Sequence, residues 1–331
     1  MVWIYESGTP RVDECQVTEN SLCDHRLFSV HGSYQRSVQQ WLEHPRNGVL
    51  NNLAKSRPSH ILLDSGGFSA WRSGHPTTVE AVIQAYKKFL DVAKPYFKEI
   101  WMISLDQIPG KFGVDPTPEE IKSAIVESDK NYKILTDIFG DRILPIYHQG
   151  EDIERALEVE EQTAGKSNYI CVSPRNDLPE AKRVVWSQQV HAKLKPTTRT
   201  HGLATTGNKM VSLVPWYSVD SATWILVGAM GSIIHFWDSG IKQGYSTIAI
   251  TNDAGRDRYQ NQHFDTYAKP FQDAIVERIE SLGFTLEEVK TNVRPRSLYN
   301  MYNLELWMKQ IREMKLSRTN KVSIQETLFG V

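Results

Sequence analysis

Five short polar segments carry residue types that suit chemistry on a heterocyclic base. Four follow an apolar run: DSGGF begins at Asp64, SLDQ contains Asp106, HQGE contains Gln149 and SVDS contains Asp220. The fifth, HGLATTG, begins at His201. An apolar run that ends in an acid and paired glycines is typical of a buried strand that stops at a tight turn. An acid in that place, followed by the aromatic Phe68, has the means to hold and protonate a flat heterocycle. The alternative is that Asp64 only caps the helix that follows it.

Predicted strands and helices alternate along the first two thirds of the chain. Strands are predicted at Val2–Tyr5, Leu27–Val30, Ile61–Asp64, Ile100–Leu105, Ile143–Tyr147, Tyr169–Val172, Thr200–Leu203 and Trp216–Asp220, and helices at Arg36–Lys55, Thr77–Leu90, Pro118–Phe139, Asp152–Ala164 and Leu178–Leu194. Short connections between such elements favour parallel βαβ units. Six or more units in a row predict an α/β fold of the (β/α)₈ barrel type, with its site at the carboxyl ends of the strands. An open doubly wound sheet would place ligands at the same ends and stays an alternative.

The pattern loosens after Asp220. Ser232–Phe236 and Ser246–Ile250 predict a closing strand plus a hairpin, and Phe271–Leu282 and Ser297–Met314 predict helices. We therefore expect one domain over residues 1–331, with 240–331 as a C-terminal extension of a hairpin and helices packed on the barrel. The extension is rich in lysine and arginine, which predicts a solvated face or, alternatively, a patch that meets phosphates.

Composition and charge limit the class of protein. The chain has 331 residues, 40% of them hydrophobic and 23% charged, and a formal net charge of −1, so no global basic field indicates a nucleic-acid partner. Three cysteines provide no disulfide framework, which fits a reducing cytoplasm. No apolar stretch is long enough to span a bilayer. The spacing of Cys15, Cys23, His25 and His31 fits no zinc pattern, so we expect no metal.

In this order, the five segments resemble the tRNA-guanine transglycosylase superfamily, whose members exchange guanine for a 7-deazaguanine. The matches span about residues 61–220, and DSGGF is the most specific of them. The segment PWYSVDSATW looks most like the short phage and bacterial relatives of the queuine-type ribosyltransferases, some of which act on DNA. The resemblance implies the same (β/α)₈ barrel that the alternation of elements predicts.

The resemblance also implies a role for each matched residue. Asp220 would be the nucleophile that attacks the sugar C1′, Asp64 would move the proton of the departing and arriving base, and Phe68 would stack on that base. The remaining matches would bind the base or read its polar edge: Ser65, Gly66, Asp106, Gln149, Gly150 and the backbone of Gly202 and Leu203.

These residue types suit the chemistry on physical grounds as well. Breaking an N-glycosidic bond develops oxocarbenium character at C1′, and a carboxylate can trap it covalently. The leaving purine needs a proton, so a second carboxylate of raised pKa is required. An aspartate and a glutamine amide together satisfy the donors and acceptors of a guanine-like edge.

The chain departs from the family pattern at Ser69, where the family has Gln. Two further departures favour DNA over tRNA as the polymer, because Ser221-Ala222-Thr223 replaces Pro-Thr-Arg and the CxCxxC zinc run is missing. We expect exchange of guanine in DNA for a 7-deazaguanine of the preQ0 or preQ1 type, without a cofactor. A duplex target must be flipped out, and a partner protein for DNA opening fits that need. The expected location is the cytoplasm, that of the host if a phage encodes the protein.

Other functions remain open at this point. The same chemistry on tRNA is one alternative. A barrel hydrolase with a metal held by Asp64, Asp106, His148 and Asp220 is another, and binding of a nucleic acid without catalysis is a third. His148 and His201 flank the motifs, but a single histidine at a strand end is more often a hydrogen-bonded structural residue. Neither histidine is therefore included among the predicted catalytic residues.

Overall fold

A computed structural model describes residues 2–7, 25–30, 60–93, 99–111, 113–237, 244–251 and 262–329, with side chains in the last helix described up to residue 314. The helix predicted at Arg36–Lys55 and the cysteines Cys15 and Cys23 lie outside these ranges. By its contacts, the chain divides into two compact units. The first unit ends at Ser221 and contains the predicted site, and the second begins at Ala222.

The first unit is built on parallel strands that close into a barrel. The strands are β1 (Trp3–Glu6), β2 (His25–Ser29), β3 (His60–Asp64), β4 (Glu99–Ile103), β5 (Ile143–Leu144), β6 (Ile146–His148), β7 (Tyr169–Ser173), β8 (Arg199–Gly202) and β9 (Ser218–Ser221). They are ordered β5-β4-β3-β2-β1-β9-β8-β7-β6, so that β5 and β6 form the two ends of the sheet.

Strands β5 and β6 are two halves of one strand, because Pro145 alone separates them. Proline has no N–H to donate to a neighbouring strand. Its carbonyl still accepts a hydrogen bond of 2.8 Å from the backbone N–H of Cys171 on β7, so the strand remains joined to its neighbour. The ring is thereby closed with eight parallel strands in the part of the chain that the structure describes. The predicted (β/α)₈ barrel is confirmed, and the open doubly wound sheet is wrong.

Helices connect the strands of the first unit. They are α1 (Gly67–Ser73), α2 (Val79–Ala93), α3 (Pro118–Phe139), α4 (Arg155–Thr163), α5 (Glu180–Lys193) and α6 (Asn208–Leu213). Helix α3 has the predicted bounds because its start is strongly encoded. Thr117 and Glu120 form a reciprocal capping box, and Pro118 occupies the first turn, where its missing N–H has no consequence.

Alternation along each strand decides which side chains face the lumen. On β3, Leu62 belongs to the apolar cluster inside the barrel, whereas Ile61 and Leu63 pack in the cluster shared with α2 and α3. Asp64 lies two residues after Leu62, so the same alternation directs it into the lumen at the carboxyl end of the strand. Deeper in the barrel, Arg199 lies over the rings of Trp101 and Tyr169, 5.1 and 4.9 Å from their centroids. The interior is therefore a packed core with a polar layer at the carboxyl ends of the strands.

The second unit contains a hairpin and helices, as predicted. Strands β10 (Ser232–Phe236) and β11 (Tyr245–Ala249) are antiparallel and form a sheet of their own. The helices are α7 (Thr223–Ala229), α8 (Lys269–Ser281), α9 (Leu286–Thr291) and α10 (Val293–Phe329). Strand β10 therefore does not close the barrel, contrary to expectation. The unit also begins near residue 222 rather than near residue 240.

Two asparagines of α10 bind the free edge of β10. The side-chain carbonyl of Asn300 accepts the backbone N–H of Ile234 at 2.6 Å, and that of Asn303 accepts the N–H of Phe236 at 3.0 Å. The amide of Asn300 also donates to the carbonyl of Trp224 at 3.0 Å. The asparagines are three positions apart on the helix and their partners two apart on the strand, so both bonds form on one face.

Basic residues in α9 and at the start of α10 have structural partners. Arg296 is buried and donates to the carbonyls of Gly228 and Val289 at 2.7 and 2.8 Å. Lys290 lies 5.2 Å from the ring centroid of Phe264. The prediction of a solvated face or a phosphate-binding patch is therefore wrong for Arg296. In the described part of the chain, no helix is both long enough and apolar enough to cross a membrane.

Candidate active site

Three carboxylates lie within electrostatic reach of one another at the carboxyl ends of the barrel strands. Asp64 ends β3, Asp106 follows β4, and Asp220 lies on β9. Burial raises the pKa of Asp64 from its ordinary value of 3.8 to about 6, and the charges of Asp220 and Asp106 contribute in the same direction. The nearby hydroxyl of Ser29 and the backbone N–H of Gly66 act in the opposite direction. Asp64 is therefore a carboxyl group that can hold or release a proton near neutral pH.

The paired glycines after Asp64 are required by the local geometry. Gly66 precedes α1 with a φ of +79°, a conformation that favours glycine. A Cβ on Gly67 would lie 2.7 Å from Oδ1 of Asp106, closer than Cβ atoms come to other heavy atoms in real structures. The turn therefore brings the backbone of α1 directly against the second carboxylate. No side chain caps α1, so the alternative in which Asp64 is only a helix cap is wrong.

Asp220 holds one carboxylate oxygen in place and leaves the other available. Its Oδ1 accepts the backbone N–H of Ala204 at 2.8 Å and lies 3.3 Å from Nε2 of His201. Across the residues that the structure describes, Oδ2 accepts no hydrogen bond. The side chain is 12% exposed, so the carboxylate is largely buried but still accessible from solvent. This is the arrangement that a carboxylate nucleophile needs.

His201 is a site residue that the sequence interpretation left out. It is fully buried, and its Nδ1 lies 2.7 Å from the hydroxyl oxygen of Ser218, while its Nε2 faces Asp220. The hydroxyl of Tyr169 lies 2.5 Å from the same Ser218 oxygen. In the sequence, the available signal is position: His201 lies at the carboxyl end of a strand next to the Gly-Leu pair, and Ser218 and Asp220 are two apart on the next strand.

His148, also left out, pairs with Asp106. Its Nε2 lies 2.8 Å from Oδ2 of Asp106, and both side chains are 8% exposed. Burial alone would lower the pKa of His148, but the neighbouring Asp106 carboxylate and the charge of Glu151 outweigh it, and the pKa is raised. Asp106 therefore has one oxygen against an imidazole and the other against Gly67. Each of two site aspartates has its own histidine.

A hydrogen bond to the neighbouring backbone fixes the side-chain amide of Gln149. Its Oε1 accepts the backbone N–H of Arg175 at 3.0 Å, which fixes the amide and leaves its NH₂ group as the donor end. Gly150 follows with a φ of +120°, a conformation that disfavours other residues. The guanidinium of Arg175 is bonded to the carboxylates of Asp115 and Asp177, so it is already neutralised by two acids.

Other predicted binding groups are engaged within the protein. The hydroxyl of Ser65 is buried and donates to the carbonyl of Ser104 at 3.1 Å. The N–H of Leu203 donates to the carbonyl of Val172 at 3.0 Å, and its own carbonyl accepts the hydroxyl of Thr205 at 2.8 Å. Gly202 ends β8 and Leu203 follows it directly, but the backbone N–H of Leu203 already donates within the protein. Substrate contacts by Ser65, Gly202 and Leu203 stay predictions.

A cleft of about 570 Å³, including its open mouth, lies beside the site, and its lining does not include Asp64, Asp106 or Asp220. Phe68 and Trp71 of α1 line it on the aromatic side, and His148 and Gln149 are among its polar lining residues. The ring of Phe68 is 41% exposed and lies 5.8 Å from that of Trp71, whose indole N–H donates to the carbonyl of Gly110 at 2.9 Å. A flat heterocycle would find an aromatic face and polar edge groups in one cleft.

A cysteine nucleophile does not fit the geometry. Cys171 is fully buried, and burial together with the charges of Asp220, Asp106 and Asp64 raises the pKa of its thiol well above the ordinary value. A protonated, inaccessible thiol is a poor nucleophile. In the described ranges, no group of three or more His, Cys, Asp or Glu side chains has the arrangement of a metal site.

Comparison with known proteins adds little to the site. No family model matches the chain, and no curated protein does. Among solved structures, a phosphoribosyl anthranilate isomerase from Thermococcus kodakaraensis is similar at 14% identity and a TM-score of 0.35. The similarity covers 67% of this chain and 88% of that one.

Proposed function

We propose that the protein is an enzyme, a transglycosylase that exchanges guanine in DNA for a 7-deazaguanine through a covalent bond between Asp220 and the sugar. One observation carries the proposal. A carboxylate with a free oxygen, Asp220, lies within electrostatic reach of a second acid, Asp64, whose pKa is raised to about 6. Glycosyl transfer with retention needs one carboxylate as nucleophile and another that can both give and take a proton.

The first half of the reaction removes the original base. Oδ2 of Asp220 attacks C1′ and forms a C–O bond, while the glycosidic C–N bond breaks and its electrons go to the base. Protonated Asp64 donates its proton to that base, which leaves neutral. Because the pKa of Asp64 is raised to about 6, a protonated fraction persists near neutral pH.

The second half reverses these steps with the incoming base. Asp64, now a carboxylate, takes the proton from the ring nitrogen of the 7-deazaguanine. That nitrogen attacks C1′, the ester bond breaks and its electrons return to Oδ2 of Asp220. Each displacement inverts the configuration at C1′, so the two together retain the configuration of the sugar. Exclusion of water during the covalent stage favours exchange over hydrolysis.

The cleft supplies recognition elements for the base, together with Asp106, which contacts the cleft residue His148. Phe68 offers an exposed aromatic face, and stacking of a base on such a ring contributes about 1–3 kcal/mol. Asp106 accepts hydrogen bonds from the N–H groups of a guanine-like edge, and the fixed amide of Gln149 donates to its carbonyl oxygen. Base recognition and proton transfer would thus use different carboxylates.

DNA is proposed as the polymer because the segment after Asp220 and the missing zinc run depart from the tRNA-acting pattern. The decisive experiment offers labelled guanine to the protein with DNA and, separately, with tRNA. Uptake into DNA that requires Asp220 supports the proposal. Uptake into tRNA alone would keep the chemistry but overturn the choice of polymer. Uptake into neither, with cell extract added to supply a partner protein that opens the duplex, would overturn the function.

Variants test the nucleophile separately. Asp220→Asn should abolish exchange and the formation of a protein–DNA adduct that survives denaturation. Asp129→Asn is the matched control, because Asp129 is bonded to Arg155 between α3 and α4 and lies outside the cleft lining. It should exchange base at the normal rate. Exchange by Asp220→Asn at the normal rate would remove Asp220 from the mechanism.

A further inference from the structure

We propose that Tyr169, Ser218 and His201 form a positioning relay that fixes which oxygen of Asp220 attacks the sugar. The inference rests on the proposed function, because it assigns a role to residues that support its nucleophile. Three polar side chains on neighbouring strands β7, β8 and β9 make a continuous chain of contacts that ends at Oδ1 of Asp220. All three are fully buried inside the barrel.

The hydrogen bonds of this relay all donate in one direction, towards Asp220. Within the described part of the molecule, the Ser218 oxygen is the one hydrogen-bond partner of the Tyr169 hydroxyl. Burial raises the pKa of Tyr169 well above its ordinary value, so the hydroxyl keeps its proton. A buried hydroxyl that donates to nothing is destabilising by about 1–3 kcal/mol, so Tyr169 donates to Ser218.

The donation by Tyr169 determines where the protons of Ser218 and His201 lie. The oxygen of Ser218 accepts from Tyr169 and donates its own proton to Nδ1 of His201, at 2.7 Å. A neutral imidazole that accepts at Nδ1 carries its proton on Nε2. Nε2–H therefore donates to Oδ1 of Asp220, at 3.3 Å. The relay assigns His201 to the Nε2–H tautomer.

Two donors on one oxygen make the carboxylate asymmetric. Oδ1 accepts from His201 and from the backbone N–H of Ala204, whereas Oδ2 accepts from neither. Rotating the carboxylate to exchange its oxygens would break both bonds at once. Oδ2 is therefore held ready to react, and orientation of this kind changes the rate of attack more than the affinity for the base. His201 acts through Asp220 and does not touch the substrate.

The first test compares two substitutions of the same histidine. His201→Gln keeps an N–H donor near the position of Nε2, and His201→Leu removes it. For exchange, His201→Leu should lower kcat by about 10- to 100-fold with little change in KM for the base, and His201→Gln should recover most of that loss. Equal losses in both variants, or a change in KM alone, would overturn the relay.

A control variant distinguishes loss of the relay from the general effect of removing a buried histidine. His191 on α5 is also partly buried, with its nitrogens at 2.7 and 2.9 Å from the Ser187 carbonyl and the Thr200 hydroxyl. His191→Leu should leave kcat unchanged. If His201→Leu fails to fold, Ser218→Ala takes its place, because it removes the donor to Nδ1 and keeps the imidazole. A kcat for Ser218→Ala equal to that of the unaltered protein would overturn the relay.

The second test does not depend on activity. In protein labelled with ¹⁵N-histidine, the resonances that disappear in His201→Gln belong to His201. They should show an unprotonated Nδ1 and a protonated Nε2, and Ser218→Ala should shift the Nδ1 resonance. A protonated Nδ1 would overturn the relay even if exchange is observed. Absence of exchange by the unaltered protein, in contrast, overturns the proposed function, so the two failures are distinguishable.

Discussion

Replacing Asp64 with asparagine removes a carboxyl group that the folded protein keeps partly protonated. Its pKa is about 6 in the folded state, against an ordinary value of 3.8. Between these two pH values, the folded protein holds a proton that the unfolded chain has released. Stability conferred by that proton is therefore lost as pH rises from about 4 to about 6, and it stays lost at higher pH.

The magnitude follows from the difference in proton affinity. Each tenfold difference is worth about 1.36 kcal/mol, so full ionisation of Asp64 lowers the free energy of unfolding by up to about 3 kcal/mol. Asp64 is not completely buried, and solvent screening reduces this to about 1.5–3 kcal/mol. Asp64→Asn should therefore be more stable than the unaltered protein at pH 7.5, by about that amount, and close to it at pH 4. We expect the same variant to exchange base about 10²- to 10⁴-fold more slowly.

Urea denaturation at a series of pH values between 4 and 8 measures the difference. Asp177→Asn is the control of opposite sign, because the hydrogen bond from Arg175 lowers the pKa of Asp177. A lowered carboxyl pKa contributes stability that is present at neutral pH and lost as pH falls. Asp177→Asn should thus be less stable than the unaltered protein at pH 7.5, with a deficit that shrinks towards pH 4.

One result would refute the reasoning about Asp64. If Asp64→Asn is less stable at pH 7.5, or if its stability difference does not change with pH, the carboxyl group is not held protonated by its surroundings. A gain in stability with normal exchange would retain the electrostatics and remove Asp64 from proton transfer. The combination of a stability gain and an activity loss is what a strained catalytic acid predicts.

Two further substitutions test the turn and the hairpin. Gly67→Ala places a Cβ 2.7 Å from Oδ1 of Asp106, so we expect the carboxylate to be displaced. The KM for the base should rise at least about tenfold, and thermal unfolding should show little loss of stability. An unchanged KM would show that Asp106 does not read the base. Asn303→Ala leaves the N–H of Phe236 without its acceptor, and it should lower the free energy of unfolding by about 1–3 kcal/mol in urea, with exchange unaffected. No loss of stability would show that water replaces this bond.

The sequence predicts the barrel well because its strand signals are local. Apolar runs lead into the acids Asp64 and Asp106 at the carboxyl ends of β3 and β4, and the alternation along β3 alone directs Asp64 into the lumen. Helix α3 carries its own capping box, and its bounds are predicted to the residue. The sequence predicts Ile143–Tyr147 as one strand. That Pro145 interrupts this strand without ending it is seen only from the bond that its carbonyl accepts from the N–H of Cys171.

The site is harder to predict because its pairs are made across strands. His148 meets Asp106, and His201 meets Asp220, at sequence separations of 42 and 19 residues. Apart from their position at a strand end, nothing within either segment distinguishes these histidines from structural ones. The short helices α1 and α7 have seven residues each, too few for a clear apolar period. The start of the second unit depends on contacts with α10, which lie far along the chain.

The two asparagines that bind β10 also affect how separate molecules meet. A strand edge with unpaired N–H groups is a template for pairing with another chain, and a two-stranded sheet has a high proportion of such edge. Asn300 and Asn303 occupy the N–H groups of Ile234 and Phe236 on that edge. The two side chains accept the hydrogen bonds that a third strand would accept, and they add no further strand edge. The hairpin is thereby protected against intermolecular strand addition, which is a common route to aggregation.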